Sequence, residues 1–310
     1  MKIKKYDKSK KVVWDEFINN SKNGHFMFYR DYMEYHSDRF EDYSLMIYDN
    51  DKLISLFPAN INDNVLYSHS GLSFGGFISN TKMTTNKMIE ILNSLIEFSK
   101  NNNIKKIIYK SVPDIYYKIP SGEDKYALFL FNAILYRRDV SSTIDLKNRI
   151  SFSKGHKAIL KKAKTLNLEV QESNDFISFM ELEKTVLNKK YNVKPVHTGK
   201  ELLMLAKKFP ENIKLFVVKD NDKIISGTIL FINHLTVHCQ YIASNEIGKE
   251  QGIFSLIVDY LINEKYINYN YFDFGISTEN DGQYLNRNLI RNKEGYGGRA
   301  TVCDFYEIRI

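Results

Sequence analysis

Residues 220–226 read DNDKIIS and residues 49–55 read DNDKLIS, so one conservative change separates two stretches that lie 171 residues apart. Each copy follows an apolar run and precedes another, LMIY and LF around the first copy, LFVV and TILFI around the second. Apolar runs on both sides of a short turn of Asp and Asn are typical of a β-hairpin. The sequence therefore predicts the same hairpin, with its turn over Asp-Asn-Asp, in both halves of the chain.

The pattern around the two hairpins repeats as well. Each half shows helical patterns, the hairpin, a strand, a glycine-bearing segment, an apolar helix and a further strand. In the second half these are a helix near 176–188, the hairpin at 213–232, a strand at 236–243, a loop at 245–252, a helix at 253–264 and a strand at 271–274. We expect an α/β (α+β) chain of two tandem domains, 1–148 and 149–310, each a mixed sheet flanked by helices, with a ligand-binding cleft between them.

Composition sets the broad class of the protein. The 310 residues are enough for about two domains, and 43% of them are apolar. The net charge of +7 permits an anionic partner, a Lys-rich surface being the alternative. Cys239 and Cys303 form no CxxC pair, which favours buried free thiols in a reducing compartment. Without a signal-like or membrane-spanning apolar run, we expect a cytoplasmic protein with no integral membrane segment.

Five stretches carry a resemblance to a known family. They are SHSGLSFGG at 68–76, PVHT at 195–198, HCQY at 238–241, FDFGISTE at 272–279 and the segment 285–297. Their order and spacing resemble the tandem GNAT (N-acyltransferase-like) domains of FemAB/FemX-like transferases, in the subgroup associated with surface glycans and peptidoglycan. The resemblance implies transfer of an acyl group, acetyl from acetyl-CoA, to the amine of a nucleotide-linked amino sugar or a related nucleotide-linked or lipid-linked cell-envelope precursor.

The donor site is expected in the second half. The resemblance places donor phosphates at the loop before the apolar helix, and a helix N-terminus is an anion site. Asn245, Gly248 and Gly252 are the predicted cofactor-binding residues of that loop. The loop lacks the full Gln/Arg-x-x-Gly-x-Gly/Ala run of simple CoA-binding members. Lys293, in a glycine-bearing segment at 293–299, is predicted to stabilise negative charge or a phosphate.

Three residues are candidates for the catalytic step. Attack by an amine needs a neutral nitrogen, so a base is required. Glu279 follows the end of a strand, where polar residues commonly face a ligand crevice, although a helix-capping carboxylate is the alternative. His238 lies on a strand with polar character, and Asp273 alternates with two Phe residues. The alternative for His238 is a structural strand histidine whose hydrogen bonds are satisfied, and the alternative for Asp273 is a buried hydrogen-bond acceptor.

Strand alternation also divides the residues around His238 into two faces. A period of two places His238 and Gln240 on one face, with Cys239 and Tyr241 on the other. Tyr241 is a candidate for contact with the substrate, packing being the alternative.

Substrate-binding residues are predicted in two further places. His69 lies in the polar, glycine-rich stretch 68–76, where a backbone can approach a ligand or simply form a tight turn. The run 149–164 holds six Lys and Arg residues and no acidic residue, and its cations can grip a pyrophosphate or form a solvated helix face. Arg149, Lys154 and Lys157 are the predicted contacts, because the resemblance implies a basic residue of this region on the acceptor's phosphates.

Two other functions stay open. The first is an aminoacyl-tRNA-dependent, FemX-like transferase that adds an amino acid to a peptidoglycan precursor, with tRNA as a partner. The second is a non-catalytic nucleotide- or RNA-binding module. No metal is expected, because the seven histidines are scattered without the spacing of a zinc site, and DNA is not an expected partner.

Overall fold

A computed structural model describes residues 1–190 and 192–310 in full and residue 191 by its backbone. The chain forms two compact units. The first comprises Met1–Asp139, Thr278–Tyr284 and Val302–Ile310, and the second comprises Val140–Ser277 and Leu285–Thr301. The division is not a single point in the chain, because two short C-terminal segments belong with the first unit.

The first unit contains two sheets and a long amphipathic helix. Its strands are β1 (Lys2–Lys5), β2 (Glu41–Asp42), β3 (Leu45–Asp49), β4 (Lys52–Phe57), β5 (Asn60–Asn62), β6 (Val65–Tyr67), β7 (Ile78–Ser79) and β8 (Lys106–Lys110), and its helices are α1 (Lys11–Asn20), α2 (Arg30–Met33), α3 (Thr85–Asn101) and α4 (Glu123–Leu130). The sheet orders are β1-β3-β4-β7 and β8-β6-β5-β2. Helix α3 begins after Thr84, whose hydroxyl caps it, and its apolar face joins the core of this unit through Leu92 and Leu95.

Strand β9 (Ile134–Asp145) carries the chain into the second unit. Along the chain there follow α5 (Lys154–Lys164), β10 (Gln171–Ser173), α6 (Phe176–Tyr191), α7 (Gly199–Lys208), β11 (Ile213–Asp220), β12 (Lys223–Ile232), β13 (Thr236–Ser244), α8 (Glu246–Glu250), α9 (Ile253–Tyr260), β14 (Tyr271–Ile276), β15 (Thr278–Glu279), β16 (Tyr284–Leu285), α10 (Arg287–Gly295) and β17 (Arg299–Arg309). Of these, β15 and residues 302–309 of β17 belong to the first unit. A π-helical turn, Leu261–Lys265, prolongs α9. The sheet of the second unit has the order β10-β11-β12-β13-β14-β9. No helix among the fully described residues has both the length and the apolar character needed to cross a bilayer.

The repeated heptapeptide forms the same hairpin in both units. Asn50 and Asp51 have φ of 45° and 62°, and Asn221 and Asp222 have φ of 46° and 63°. Two consecutive positive φ values are typical of the type I′ turn that suits a twisted antiparallel pair. Each hairpin also shifts its register once, two residues before its turn. The predicted hairpin, with its turn over Asp-Asn-Asp, is thus confirmed in both units, and the structure adds the same register shift beside each turn.

Candidate functional site

The parallel strands β13 and β14 diverge within the second unit. They pair over Thr236–His238 and Tyr271–Asp273, after which β13 runs on to Ser244 and β14 to Ile276. On its other side β13 stays paired with β12 as far as Ser244. The edge of β13 beyond His238 therefore turns backbone N–H and C=O groups toward the gap, where an extended ligand can pair with them.

A β-bulge at Gln240 changes which side chains share a face. The ladder with β12 passes from Cys239 to Tyr241 opposite two successive residues, so Gln240 is the extra residue. The prediction that Tyr241 lies with Cys239, opposite His238, is therefore wrong. The inserted residue moves Tyr241 onto the face of His238, and Cys239 packs into the apolar core on the other face.

A cavity of about 720 Å³ lies where the two strands diverge. Its walls come from the outer half of β13, from Phe274 of β14, and from helices α5, α6, α8, α9 and α10. This volume is in the range of pockets that enclose small molecules or cofactors. The cavity is therefore the candidate site of the second unit.

The polar segment 245–252, predicted to be a loop, is mostly helix. Asn245 begins α8 by accepting a hydrogen bond from the N–H of Gly248 at 2.8 Å, and Gly252 has a φ of +69° between α8 and α9. Gly248 and Gly252 line the cavity, and a Cβ at Gly248 would collide with the carbonyl oxygen of Ile225. The N–H of Ser255 donates to the carbonyl oxygen of Gly252, and the two N–H groups before it in α9 precede the first helical acceptors, so this end of the cavity favours an anion.

Asp273 is the centre of a buried hydrogen-bond network. It is 3% exposed, and its carboxylate accepts hydrogen bonds from Ser141, from Thr143 at 2.8 Å and from Nδ1 of His238 at 2.7 Å. Burial opposes ionisation, but the hydrogen bonds and the His238 charge outweigh it and lower the pKa of Asp273. Asp273 is therefore a carboxylate that fixes the ring of His238 with its Nδ1 proton pointing inward.

Lys293 brings a buried ammonium to the cavity. Lys293 lies in the last turn of helix α10 (Arg287–Gly295) and is 6% exposed. Its Nζ donates to the carbonyl oxygens of Gly275 at 2.8 Å and Ile276 at 2.7 Å. Burial lowers the pKa of Lys293 to about 8, although the nearby Asp273 opposes this. An ammonium has three N–H donors, so one remains for a ligand oxygen.

Glu183 is a buried carboxyl group that sequence reasoning missed. It lies on α6, is 6% exposed and lines the cavity. Its Oε2 is buried and has no hydrogen-bond partner among the fully described residues. Burial raises the pKa of Glu183 to about 7. The available signal was its helical spacing from Phe176, Phe179 and Met180, which places a carboxylate on the apolar face of the helix.

Polar groups complete the walls of the cavity. The hydroxyl of Tyr241 lies 2.7 Å from Nδ1 of His197, which fixes the tyrosine ring. Three exposed lysines, Lys162, Lys190 and Lys249, stand at the rim. The cavity thus combines a buried carboxyl, a buried ammonium and a basic entrance.

Several residues predicted for the site lie elsewhere. Lys154 and Lys157 are exposed on α5, whose cavity-facing residues are His156, Ile159 and Lys162. Arg149 donates to the carbonyl oxygens of Leu146 and Ile262 and to the side chain of Asn263.

The two remaining predicted residues belong to the first unit. Glu279 is exposed in the segment 278–284. His69 is buried, has a φ of +65° and stacks on His36. Burial, together with the charges of His36 and Lys110, lowers the pKa of His69 to about 3.

In the first unit, the space equivalent to this cavity is filled by the unit's own chain. Its parallel pair is β6 with β8, and the chain that follows β6 folds back over the gap. Nζ of Lys110 donates to the carbonyl oxygens of His69, Ser70 and Leu72, and the N–H of Gly75 donates to the carbonyl oxygen of Lys110. The same pair of strands is therefore open in the second unit and closed by its own chain in the first.

The fold is that of tandem GNAT-like domains of the FemX type. A crystal structure of FemX superposes with a TM-score of 0.70 at 11% identity, covering 98% of this chain and 97% of that one. The structure of L-PGS from Bacillus licheniformis superposes with a TM-score of 0.62 at 12% identity, covering 99% and 93%. A tandem GNAT protein from the clavulanic acid biosynthesis pathway superposes with a TM-score of 0.52 at 8% identity, covering 99% and 98%.

The similarity is one of structure. No protein-family model matches the sequence, and no sequence of a curated protein matches it. At sequence identities of 8 to 12%, these superpositions establish the fold alone, and the reaction has to be argued from the site.

Proposed function

We propose that the chain is an N-acyltransferase that binds its acyl donor in the cavity of the second unit. The proposed reaction is transfer of an acetyl group from acetyl-CoA to the amine of a nucleotide-activated amino sugar or a related cell-envelope precursor. The divergence of β13 from β14 beyond His238 carries this proposal, because it opens an unpaired strand edge beside a cavity and beside the beginning of α9.

Three parts of an acyl-CoA, the pantetheine arm, the pyrophosphate and the thioester carbonyl, can be matched to groups of this cavity. The amides of an extended pantetheine arm can pair with the edge of β13 as an added strand does. The pyrophosphate can lie at the beginning of α9, close to the rim lysines such as Lys249. The bulge at Gln240 releases a backbone N–H from the ladder, and Lys293 retains one N–H donor, so both are available to the developing oxyanion.

His238 and Asp273 support this chemistry from the head of the gap. Asp273 holds His238 in one tautomer, and the other ring nitrogen can bind or orient a polar group of the substrates. Arg149, Lys154 and Lys157 stay predictions for the acceptor's phosphates, and His69 stays a prediction for contact with the substrate. Glu279 stays a prediction for the base.

Aminoacyl-tRNA is the second candidate donor. The basic rim, the net charge of +7 and the incomplete glycine run of the segment 245–252 favour an RNA-linked donor over a simple CoA ester. An aminoacyl ester needs the same oxyanion donors, so the reaction class is unchanged.

A thermal-shift titration with acetyl-CoA, CoA and an aminoacylated RNA minihelix at fixed salt tests the proposal. A ligand at a hundredfold excess over its dissociation constant stabilises the folded state by about 2.7 kcal/mol. Gln240→Trp fills the cavity and removes the shift, whereas Gln171→Trp, the same change on the exposed strand β10, retains it. A shift with the minihelix alone moves the donor to aminoacyl-tRNA, and no shift with any of the three contradicts the proposal.

A further inference from the structure

Helix α6 turns one carboxyl group toward the cavity from an otherwise apolar face. Phe179 and Met180 precede Glu183 on this face and are buried, and Val186 and Leu187 follow it on the cavity wall. A carboxyl group in such a position costs stability when it is charged and unpaired. A role for this carboxyl group in ligand binding or catalysis within the cavity would explain that cost.

The neighbours of Glu183 do not neutralise it. Oε2 lacks a hydrogen-bond partner among the fully described residues, and burial is the cause of the raised pKa. Helix α6 packs on α7, β12 and β13. From β13 the ionisable groups on this face are Tyr241, bonded to His197, and His238, bonded to Asp273. From α7 come Glu201, which caps its own helix, and the exposed Lys200, Lys207 and Lys208.

Further ionisable groups line the cavity from helices α5, α6, α8 and α10. His156 and Lys162 belong to α5, Lys190 to α6, Lys249 and Glu250 to α8, and Lys293 to α10. Lys293 is bonded to two carbonyl oxygens, and Glu250 is exposed. Glu183 is thus the buried one of the two carboxyl groups that line the cavity.

We propose that Glu183, in place of the predicted base Glu279, is the group that receives the proton of the acceptor amine, which enters the cavity as a primary ammonium ion. This inference rests on the proposed acyl transfer. The proton passes from the ammonium nitrogen to the Glu183 carboxylate, and the freed lone pair forms the C–N bond with the donor carbonyl. The C–S bond of the thioester, or the C–O bond of an aminoacyl ester, then breaks. The leaving thiolate or alkoxide takes up the proton that Glu183 holds. The regenerated Glu183 carboxylate then accepts the second proton of the new C–N nitrogen and passes it to solvent, which leaves a neutral amide.

Kinetics with amines of different basicity test this role. The probes are methylamine, which is protonated at pH 7, and hydroxylamine, which is neutral there. With acetyl-CoA as donor, Glu183→Gln is expected to lower kcat/KM for methylamine by about 100-fold or more. The loss with hydroxylamine is expected to be under tenfold, and the rise of the methylamine rate near pH 7 disappears. Glu181→Gln, an exposed carboxylate on the same helix, leaves both rates unchanged.

Further variants separate a chemical role from a structural one. Glu183→Asp retains a carboxylate and is expected to keep the pH-dependent limb at a reduced rate, so the proposal stays testable if Glu183→Gln folds poorly. Equal losses with both amines, or an unchanged pH profile in Glu183→Gln, overturn the role of Glu183. If wild type transfers acetyl to neither amine and aminoacyl esters also fail, the proposed function itself is overturned.

Discussion

Substitution of Glu183 by Gln removes a buried ionisable group with little change in shape. Burial raises the pKa of Glu183 from 4.5 to about 7, so the native state retains a proton that the unfolded chain releases between these values. Wild-type stability therefore falls as the pH rises through this window. At 1.36 kcal/mol for each unit of pKa, the difference corresponds to about 3 kcal/mol.

The assay is urea unfolding of wild type and Glu183→Gln at several pH values from 4 to 8.5. At pH 4 the protonated carboxyl and the amide are expected to give similar free energies of unfolding. At pH 8.5 we expect Glu183→Gln to be more stable than wild type by about 3 kcal/mol. Glu181→Gln serves as the control, because Glu181 is exposed and its pairing with Lys184 contributes little.

Parallel stability curves for wild type and Glu183→Gln would refute the reasoning. They would mean that Glu183 ionises in the native state as it does in the unfolded chain, through water or a counter-ion in the cavity. A curve in which wild type gains stability with pH relative to the variant would contradict it as well.

Three further predictions concern charge, packing and the duplicated turn. Burial lowers the pKa of Lys293 from 10.5 to about 8, so between these pH values the unfolded chain holds a proton that the native state has lost. As the pH rises from 7.5 to 10.5, the free energy of unfolding of wild type should therefore increase by up to about 3 kcal/mol relative to that of Lys293→Met, measured by urea unfolding. Gly248→Ala drives a Cβ into a backbone carbonyl and should cost about 1–3 kcal/mol, whereas Gly155→Ala meets open space on α5 and should stabilise by about 0.5–1 kcal/mol; equal effects would contradict the packing argument. Asp51→Gly and Asp222→Gly relieve the same positive φ in two equivalent turns. Each should raise the free energy of unfolding by about 0.4–1 kcal/mol, seen as a higher thermal midpoint. A stabilising change in one turn and a destabilising change in the other would contradict the equivalence of the two turns.

The hairpins were predictable because their cause is local. Two polar residues that tolerate positive φ, flanked by apolar runs, determine a turn without help from the rest of the chain. The same holds for the helix that follows Thr84, where cap and apolar spacing agree. The order of these elements, repeated in both halves, then predicted two tandem domains of one fold.

The site depended on contacts that the sequence does not display. The bulge at Gln240 comes from the pairing of β13 with β12, and it reversed the expected face of Tyr241. Glu183 is buried because α6 packs on a sheet whose strands lie 30 residues and more further along the chain. The glycine-rich stretch 68–76 packs against side chains of its own unit, Gly76 against Tyr109 for example, and these contacts are not visible in the sequence.

Hydrogen–deuterium exchange with and without acetyl-CoA tests whether the donor occupies the open gap of the second unit. We expect slower exchange of backbone amides in residues 240–255, with no change in residues 68–77 of the first unit. The aminoacylated minihelix should protect the same segment if it is the donor. Protection of residues 68–77 alone, or no protection of residues 240–255 by either donor, would contradict the account.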